Sequence, residues 1–336
     1  MRDYKAVVRV CLPVLGLLLL RPAVRAQGSN FLHPIPEIER RLKYEPLEIF
    51  RIRGSRWEDD WTKRAILKWP DGVYMQVKWR RAPSGGWDEN NEPRYEVAAY
   101  RLQALFLKPE AYVVPPTVTR AWPVARYRRE VEKGVKPTFK NTQSVLFLLQ
   151  YWLEQVGMEN VFDKKRFDRD STYAYHFANM NILTHLIDHK DANIGNVLIS
   201  TEPNDPRVFA VDNSMAFRSP ESDRGTEWRR LKVNRLPAPT IERLRQLKKT
   251  DLEEALGVVE QYEIRDGQLV PVPPTQNLAR DKGVRRQGNV IQLGLTQAEI
   301  NDVYDRLQRL LKRVDQGRIK TFPFNWKGEE SGEKKS

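Results

Sequence analysis

The sequence contains little cysteine: Cys11 is the single one among 336 residues. It lies in the apolar run "VCLPVLGLLLL" (10–20), which follows three basic residues and precedes the small and aliphatic residues of "AVRAQG". A basic start, an apolar stretch and small residues in this order predict a secretory signal peptide, which we expect to be cleaved after Ala26. The remaining chain then has no cysteine, which excludes disulfides, a thiolate nucleophile and a cysteine metal site.

A long hydrophobic run is also absent. The apolar run spans 11 residues, whereas a membrane-spanning helix needs about 18 or more. We therefore expect export through the secretory route, to a periplasm or out of the cell, with no transmembrane anchor after cleavage. At the other end of the chain, the charged segment 326–336 predicts a disordered tail.

Acidic residues are fewer than basic ones. The chain has 57 basic and 44 acidic residues, and the first 26 residues hold five basic and one acidic, so a net charge of about +9 remains after cleavage. This charge suits an anionic partner, but it is equally compatible with a solvated basic surface. The tryptophan and arginine side chains come without a nucleic-acid recognition motif, so we expect no specific nucleic acid partner.

Strand patterns dominate the first part of the chain, residues 27–150. In "VYMQVKW" (73–79) apolar and polar residues alternate, and the turn "PDG" separates it from the strand pattern "RAILKW". One helix pattern, "YEVAAYRLQALFL" (95–107), interrupts these strands and ends at Lys108 and Pro109. Strand character returns in "YVVPPTVTRAWPVARYRR" (112–129) and "SVLFLLQYWL" (144–153).

Helix patterns dominate residues 151–325, so the whole chain is predicted to have an α+β fold. The strongest helix pattern is "STYAYHFANMNILTHLID" (171–188), for which Ser171 is the expected cap. Two short strands, "NVLIS" and "VFAVD", follow it. Later helices are predicted by two possible capping boxes, Thr250 with Glu253 and Thr296 with Glu299.

Three polar residues stand around these two short strands. Asp191 lies between the long helix and the first strand, Asn196 opens that strand, and Asp212 ends the second. If the strands form a hairpin, Asp212 returns beside Asn196, where carboxylate and amide oxygens together can bind a hard cation such as Mg²⁺. Each residue alone is equally well explained as a turn or cap residue.

The segments around these residues resemble the protein-kinase-like superfamily. "HKDANIGNVLI" (189–199) is similar to its catalytic-loop pattern H-R-D-x-x-x-x-N, and "VDNS" stands in the place of its D-F-G. "YEVAAYRLQALF…VVPPTV" together with "VFAVDNSMAF" is similar to the atypical branch that contains phosphoinositide 4-kinases, their bacterial relatives and secretory-pathway kinases. The resemblance covers roughly residues 45–220 and implies a two-lobed fold, with a strand-rich lobe at 27–150 and a mainly helical lobe at 151–325.

The resemblance also implies a role for each candidate residue. Lys78 would bind the α- and β-phosphates of ATP, and Glu96 would hold Lys78 by an ion pair. Asp191 would orient or deprotonate the acceptor hydroxyl, while Asn196 and Asp212 would bind Mg²⁺ or Mn²⁺. His189 would support the loop, and Gly54 with Ser55 in "RGSRW" is the candidate phosphate loop.

The sequence departs from the family pattern at three places. Ala192 and Asn193 follow Asp191, where phosphoinositide-type kinases carry Arg and His, so a lipid-kinase mechanism that uses that His is not supported. No G-x-G-x-x-G precedes Lys78. "DNS" lacks the Phe of D-F-G, so a switch based on that Phe is not expected.

Three functions are therefore open. The first is an exported kinase that transfers the γ-phosphate of ATP to a hydroxyl of a protein, glycan or small molecule. Arg218, Arg224, Arg229 and Arg230 would then favour an acidic acceptor, unless they are ordinary surface charge. The second is a catalytically silent binding or scaffold protein with the same fold, and the third is a basic protein that binds an anionic polymer.

Overall fold

A computed structural model of the chain describes residues 30–54, 61–89 and 91–325. The predicted signal peptide, Ser55 and the predicted tail lie outside the described residues. No helix within the described ranges is both long and apolar enough to cross a membrane.

The first part of the described chain forms an antiparallel sheet in the order β1-β2-β3-β5-β4. Its strands are β1 (Glu48–Gly54), β2 (Thr62–Lys68), β3 (Tyr74–Arg81), β4 (Thr117–Pro123) and β5 (Ser144–Tyr151). The predicted meander is confirmed: the chain turns between β2 and β3 through Gly72, whose φ of 83° favours glycine. The predicted lobe boundary at residue 150 falls at the end of β5.

The two faces of this sheet differ because side chains alternate along each strand. Leu67, Val77 and Trp79 are buried on one face, where Trp79 stacks on Phe147 with ring centroids 4.1 Å apart. Helices α1 (Ile35–Tyr44) and α3 (Val124–Glu130) pack at this sheet, and Trp79 Nε1 donates a 3.0 Å hydrogen bond to Tyr127. The other face carries Lys78 and remains partly open.

Helix α3 corrects the predicted strand at 124–129. Pro123 ends β4 and starts the helix, and Arg126 pairs with Glu130 one turn later at 3.0 Å. A pair at i and i+4 stabilises a short helix, but it adds no periodicity of apolar residues that would distinguish this helix from a strand in the sequence.

Helix α2 (Pro93–Gln103) is confirmed. It begins two residues before the start of the predicted helix and ends four residues before the predicted end.

The second part contains more helix than strand, as predicted. Its helices are α4 (Lys164–Arg169), α5 (Ser171–Leu186), α6 (Ala238–Gln246), α7 (Lys249–Gly257) and α8 (Gln297–Asp315). Short strands lie before, between and after them: β6 (Val156–Gly157), β7 (Val197–Ser200), β8 (Val208–Ala210), β9 (Arg235–Pro237) and β14 (Lys320–Phe322).

Helix caps in this part differ in two cases from the predictions. Helix α5 is capped by Asp170 and not by Ser171, since the Asp170 carboxylate accepts from the backbone of Thr172 and Tyr173. Helix α7 starts at Lys249, so the Thr250–Glu253 box is wrong. The second predicted box is confirmed at α8, where Thr296 accepts from the Glu299 backbone.

An additional sheet within the described residues was not predicted. Strands β10 (Glu260–Arg265), β11 (Gln268–Val272), β12 (Val284–Gln287) and β13 (Val290–Leu293) form it in the order β11-β10-β13-β12. It packs against the first sheet near β4, where the Tyr262 and Thr119 hydroxyls lie 2.8 Å apart. The apolar side chains of this sheet pack against the first sheet and not against a helix. Local periodicity does not show which element an apolar face packs against.

A buried ion pair joins α2 to α8. The Arg94 guanidinium contacts the Glu299 carboxylate at 2.7 and 3.0 Å, and both residues are less than 8% exposed. Tyr95 donates to the same carboxylate. Helix α2 also carries Glu96. The Arg94–Glu299 contact therefore ties the position of Glu96 to α8, in the second part of the chain.

We expect Glu299→Ala to lower the free energy of unfolding by about 3–5 kcal/mol, because it leaves the Arg94 guanidinium buried without its main counter-ion. Denaturant unfolding followed by circular dichroism measures the change. Asp302→Ala is the control, since Asp302 lies on the same helix and its pair with Arg218 is largely exposed and should contribute little. Equal losses in the two variants would contradict the assigned role of the buried pair.

Candidate active site

Lys78 lies at the centre of the candidate site. Its Nζ contacts Glu96 Oε1 at 2.6 Å and Asp212 Oδ1 at 2.7 Å. Lys78 and Glu96 are 8% and 1% exposed. Burial acts to lower the pKa of the Lys78 ammonium, but the carboxylates of Asp212 and Glu96 outweigh it and raise that pKa. The ammonium therefore stays charged.

Asp212 has an unusual backbone and a strongly acidic side chain. Its φ is 58°, a left-handed conformation that is uncommon for residues other than glycine. Burial acts to raise the pKa of its carboxyl, but Lys78 and Arg80 prevail and hold it well below its ordinary value of 3.8. The side chain is still 41% exposed, so it is accessible from the cleft while it remains ionised.

The loop after α5 surrounds Asp191 with amide donors. Asn193 Nδ2 donates to Asp191 Oδ1 at 2.9 Å, and Asn196 Nδ2 donates to Asp191 Oδ2 at 2.8 Å. His189 is fully buried and its Nδ1 accepts from the Asp191 backbone N–H at 3.2 Å. Burial lowers the pKa of His189, which favours the neutral ring that can accept this bond.

Strands β7 and β8 form the predicted hairpin. They pair antiparallel, with Val197 opposite Ala210, and the Val211 N–H donates to the Asn196 carbonyl at 2.9 Å. Asn196 and Asp212 are thereby brought to the same end of the hairpin. Because the Asn196 amide nitrogen is bound to Asp191, its Oδ1 is available to a ligand on the other side.

The donor set fits a hard divalent cation. One carboxylate and one amide oxygen are few ligands, and Mg²⁺ takes such a set when waters and phosphate oxygens complete its coordination. Among the residues that the structure describes, no group of three His, Cys, Asp or Glu side chains gathers around one point. The candidate set therefore needs waters, phosphate oxygens or both to complete a coordination shell.

Gly54 lies at the end of β1, opposite Lys63 of β2. Lys63 in turn pairs with Trp79, the residue after Lys78. Gly54 therefore lies two strands away from Trp79, at a distance of about 10 Å. It is exposed, and a Cβ at this position would meet no atom within 4 Å. Its role in a phosphate loop stays a prediction, as does that of Ser55.

Two further residues at the site escaped the sequence analysis. Arg80 Nη1 donates to Ser214 at 3.2 Å and lies 3.6 Å from Asp212. Gln150, which pairs with Lys78 across β3 and β5, contacts Glu96 Oε2 at 3.4 Å. Arg80 could have been found from its spacing, since it shares the face of Lys78 two positions earlier. Gln150 carried no signal because its strand is distant in sequence.

An open cavity of about 900 Å³ lies beside the Asp191 loop, and Asn193 and Ile194 form part of its wall. Its remaining wall comes from residues 221–232, among them Arg224, Arg229, Arg230 and Lys232. This segment is docked on the loop and on α5: the Trp228 N–H donates to Ala192 at 3.0 Å, and Thr184 donates to the Trp228 carbonyl at 2.6 Å.

The four arginines singled out in the sequence separate into two groups. Arg218 pairs with Asp302 and is not part of the cavity wall, while Arg229 pairs with Asp188 and Glu221. Arg224 and Arg230 line the cavity, and within the described part of the chain neither side chain has an ion-pair partner.

Comparison with solved structures supports the fold. The structure of a Fam20 protein from hydra, solved with a sugar, superposes with a TM-score of 0.51 at 15% identity, over 87% of this chain and 93% of the other. The chain has a protein-kinase-like fold. A MAP kinase from Leishmania major gives a TM-score of 0.26 at 12% identity, over 54% of this chain and 49% of the other. No protein-family model and no curated protein matches the sequence.

Within this kinase-like fold, five of the candidate residues form two contacting groups. Lys78 contacts both Glu96 and Asp212, and Asp191 contacts Asn196. The atypical branch named from the sequence and the chemical roles of these residues stay predictions.

The contact between Lys78 and Glu96 should be measurable by double substitution. Lys78→Met leaves the buried Glu96 carboxylate without its cation, so we expect a loss of about 3–5 kcal/mol in the free energy of unfolding. Adding Glu96→Gln should recover most of it, because the neutral amide needs no counter-ion. Denaturant unfolding of the single and double variants tests this. Additive losses would show that the two side chains are not coupled.

Proposed function

We propose that this chain is an exported atypical kinase that transfers the γ-phosphate of ATP to a hydroxyl group of a protein, glycan or small molecule. The observation that carries the proposal is the Lys78 ammonium, held between Glu96 at 2.6 Å and Asp212 at 2.7 Å beside the Asp191–Asn196 loop. Phosphoryl transfer requires mainly positioning and charge neutralisation, and these groups can supply both.

Each residue has a definite task in this proposal. Lys78 binds phosphate oxygens, and Glu96 keeps its ammonium at the cleft. Asp191 accepts a hydrogen bond from the acceptor hydroxyl and takes its proton as the bond to phosphorus forms. Asn193 and Asn196 hold the Asp191 carboxylate through their amide groups, so this acceptor is oriented before the substrate binds.

Asn196 and Asp212 would hold Mg²⁺ or Mn²⁺. Such an ion neutralises the negative charge of the phosphate groups when it is bound. The carboxylate of Asp212 is suited to this task because its lowered pKa keeps it ionised.

The cavity beside Asp191 supports an anionic acceptor. Arg224, Arg230 and Lys232 line it without an ion-pair partner in the described chain, whereas Glu221 is paired with Arg229. Within the described residues, Glu227 is the one unpaired acid of this wall, so positive charge prevails. An acidic peptide and an acidic oligosaccharide both match this charge. The hydra Fam20 structure was solved with a sugar, which supports including glycans among the acceptors to be tested.

A second function, nucleotide binding without turnover, is favoured by one observation. Lys78 Nζ touches Asp212 Oδ1 directly at 2.7 Å, so the proposed metal ligand already has a cation as its partner. In a catalytically silent protein this ion pair would persist, and the chain would act as a binding or scaffold protein in the same compartment.

Phosphate transfer separates the two functions. With labelled ATP, Mg²⁺ or Mn²⁺ and a panel of acceptors, we expect the mature chain to label an acceptor. Asp191→Ala should stop transfer and keep nucleotide binding, since Asp191 does not contact the phosphates. Asp212→Ala should abolish the metal-dependent increase in melting temperature caused by ATP. Binding without transfer on any acceptor would favour the silent function, and parental behaviour of both variants would refute the site assignment.

The acceptor cavity can be tested by removing its unpaired charges. The double variant Arg224→Ser/Arg230→Ser should raise the KM for an acidic acceptor about tenfold while kcat changes little, because the lost attraction acts on binding. The increase should shrink at high salt, since these charges are exposed to solvent. Arg218→Ser is the matched control, because that side chain is paired with Asp302. An equal change in the control would contradict the proposal.

A further inference from the structure

Asp212 is held in place partly by contacts that the next two residues make with α2 and β3. The Asn213 N–H donates to Glu96 Oε2 at 3.1 Å, and the Ser214 hydroxyl accepts from Arg80 Nη1 at 3.2 Å. The φ of Asp212 is 58°, a backbone conformation that persists in residues other than glycine only where the surrounding contacts hold it. The contacts of its neighbours therefore help to fix the direction of the Asp212 side chain.

The resemblance to kinases assigns no role to Arg80 or to Ser214. Ser214 stands where D-F-G has its glycine, so it adds a hydroxyl that glycine lacks. Arg80 shares a face of β3 with Lys78, two positions earlier, and its Nη1 lies 3.6 Å from Asp212 Oδ1. One guanidinium thus bonds to Ser214 and faces the Asp212 carboxylate.

The surroundings of the Arg80–Ser214 bond make it suited to hold a segment of chain. Ser214 is 3% exposed and the Arg80 side chain is 16% exposed, so little water competes for the bond. A hydrogen bond donated by a charged group is stronger than one between neutral groups. The planar guanidinium also restricts the direction in which it can donate.

The Arg80–Ser214 bond does not use the Asp212 carboxylate. Under the proposed function, on which this inference rests, Asp212 binds a divalent cation and Lys78 binds phosphate oxygens. Both events change the contacts of the carboxylate and leave the Arg80–Ser214 bond intact. The bond can therefore hold the segment both before and after the ligands bind.

We propose that Arg80 is a positioning residue, which orients Asp212 for a divalent cation by binding Ser214. An Arg80 that acted only through its charge would have the opposite effect. A guanidinium 3.6 Å from the carboxylate repels a cation bound there, so its removal would then tighten cation binding. A positioning Arg80 makes cation binding weaker when it is removed.

The test measures how much Mn²⁺ the site needs. The readout is the midpoint, defined as the Mn²⁺ concentration at which a fixed amount of the non-hydrolysable ATP analogue AMP-PNP gives half of its maximal increase in melting temperature. Ser214→Ala removes the acceptor of the bond without changing any charge. It should raise the midpoint about tenfold, the scale of one hydrogen bond to a charged group.

Arg80→Met tests the donor of the same bond and should also raise the midpoint. The double variant Arg80→Met/Ser214→Ala should be no weaker than Arg80→Met, because both substitutions break one bond. Excess Mn²⁺ should restore the full increase in melting temperature in each variant, since a loss of orientation lowers affinity and does not remove the site. Melting without ligands shows whether each variant folds, and Arg80→Met decides alone if Ser214→Ala does not.

Each substitution has a matched control. Ser219→Ala removes a hydroxyl five residues after Ser214 that has no hydrogen-bond partner among the described residues. Arg81→Met removes the same charge as Arg80→Met from the opposite face of β3, where Arg81 pairs with Glu132 at 3.3 Å and is 19% exposed. Both controls should keep the midpoint within about twofold of the parent.

The outcomes separate this proposal from the proposed function. A parent whose melting temperature does not respond to AMP-PNP with Mn²⁺ or Mg²⁺ would overturn both. If the parent responds, an unchanged midpoint in Ser214→Ala or a lower midpoint in Arg80→Met would overturn the positioning role alone. Equal shifts in the matched controls, or a loss that excess Mn²⁺ does not restore, would overturn it as well.

Discussion

The ion pairs of the buried Lys78 ammonium are the constraint on which the site depends. A cation that is 8% exposed is stable only beside its counter-ions, and Lys78 has two, Glu96 and Asp212. These three residues come from β3, from α2 and from the segment after β8. Pairing one ammonium with both carboxylates therefore positions a strand, a helix and a loop relative to one another.

The surrounding structure supports this arrangement with further ion pairs. Helix α2 is held at its start by Arg94, which pairs with Glu299 and lies two residues before Glu96. The Asp191 loop is held by Asp188, which pairs with Lys190 at 2.8 Å and with Arg229. The Arg94–Glu299 pair connects α2 with α8, so its loss should disturb the position of Glu96 as well as the fold.

How much of the structure the sequence predicts depends on how far apart in the chain the interacting residues lie. The meander of β1 to β3, helix α2 and the hairpin of β7 and β8 follow from alternation and periodicity over a few residues. Lys78, Glu96, Asp191, Asn196 and Asp212 were singled out by local patterns and a resemblance, and they form two contacting groups. Arg94 and Gln150 were missed because their partners lie 205 and 54 residues away, where no local pattern reports a contact.

By itself, the sequence determined the local elements and the chemical groups available to them: a strand with an alternating lysine, a helix with an acid in its first turn, and a hairpin with polar ends. Only the tertiary structure decided which groups meet. The packing of the β10–β13 sheet on β4 and the sharing of one ammonium by Glu96 and Asp212 both require contacts across the fold. Such a contact is favourable only when both partners leave water together. Its contribution to stability therefore depends on two segments and is not a property of either one.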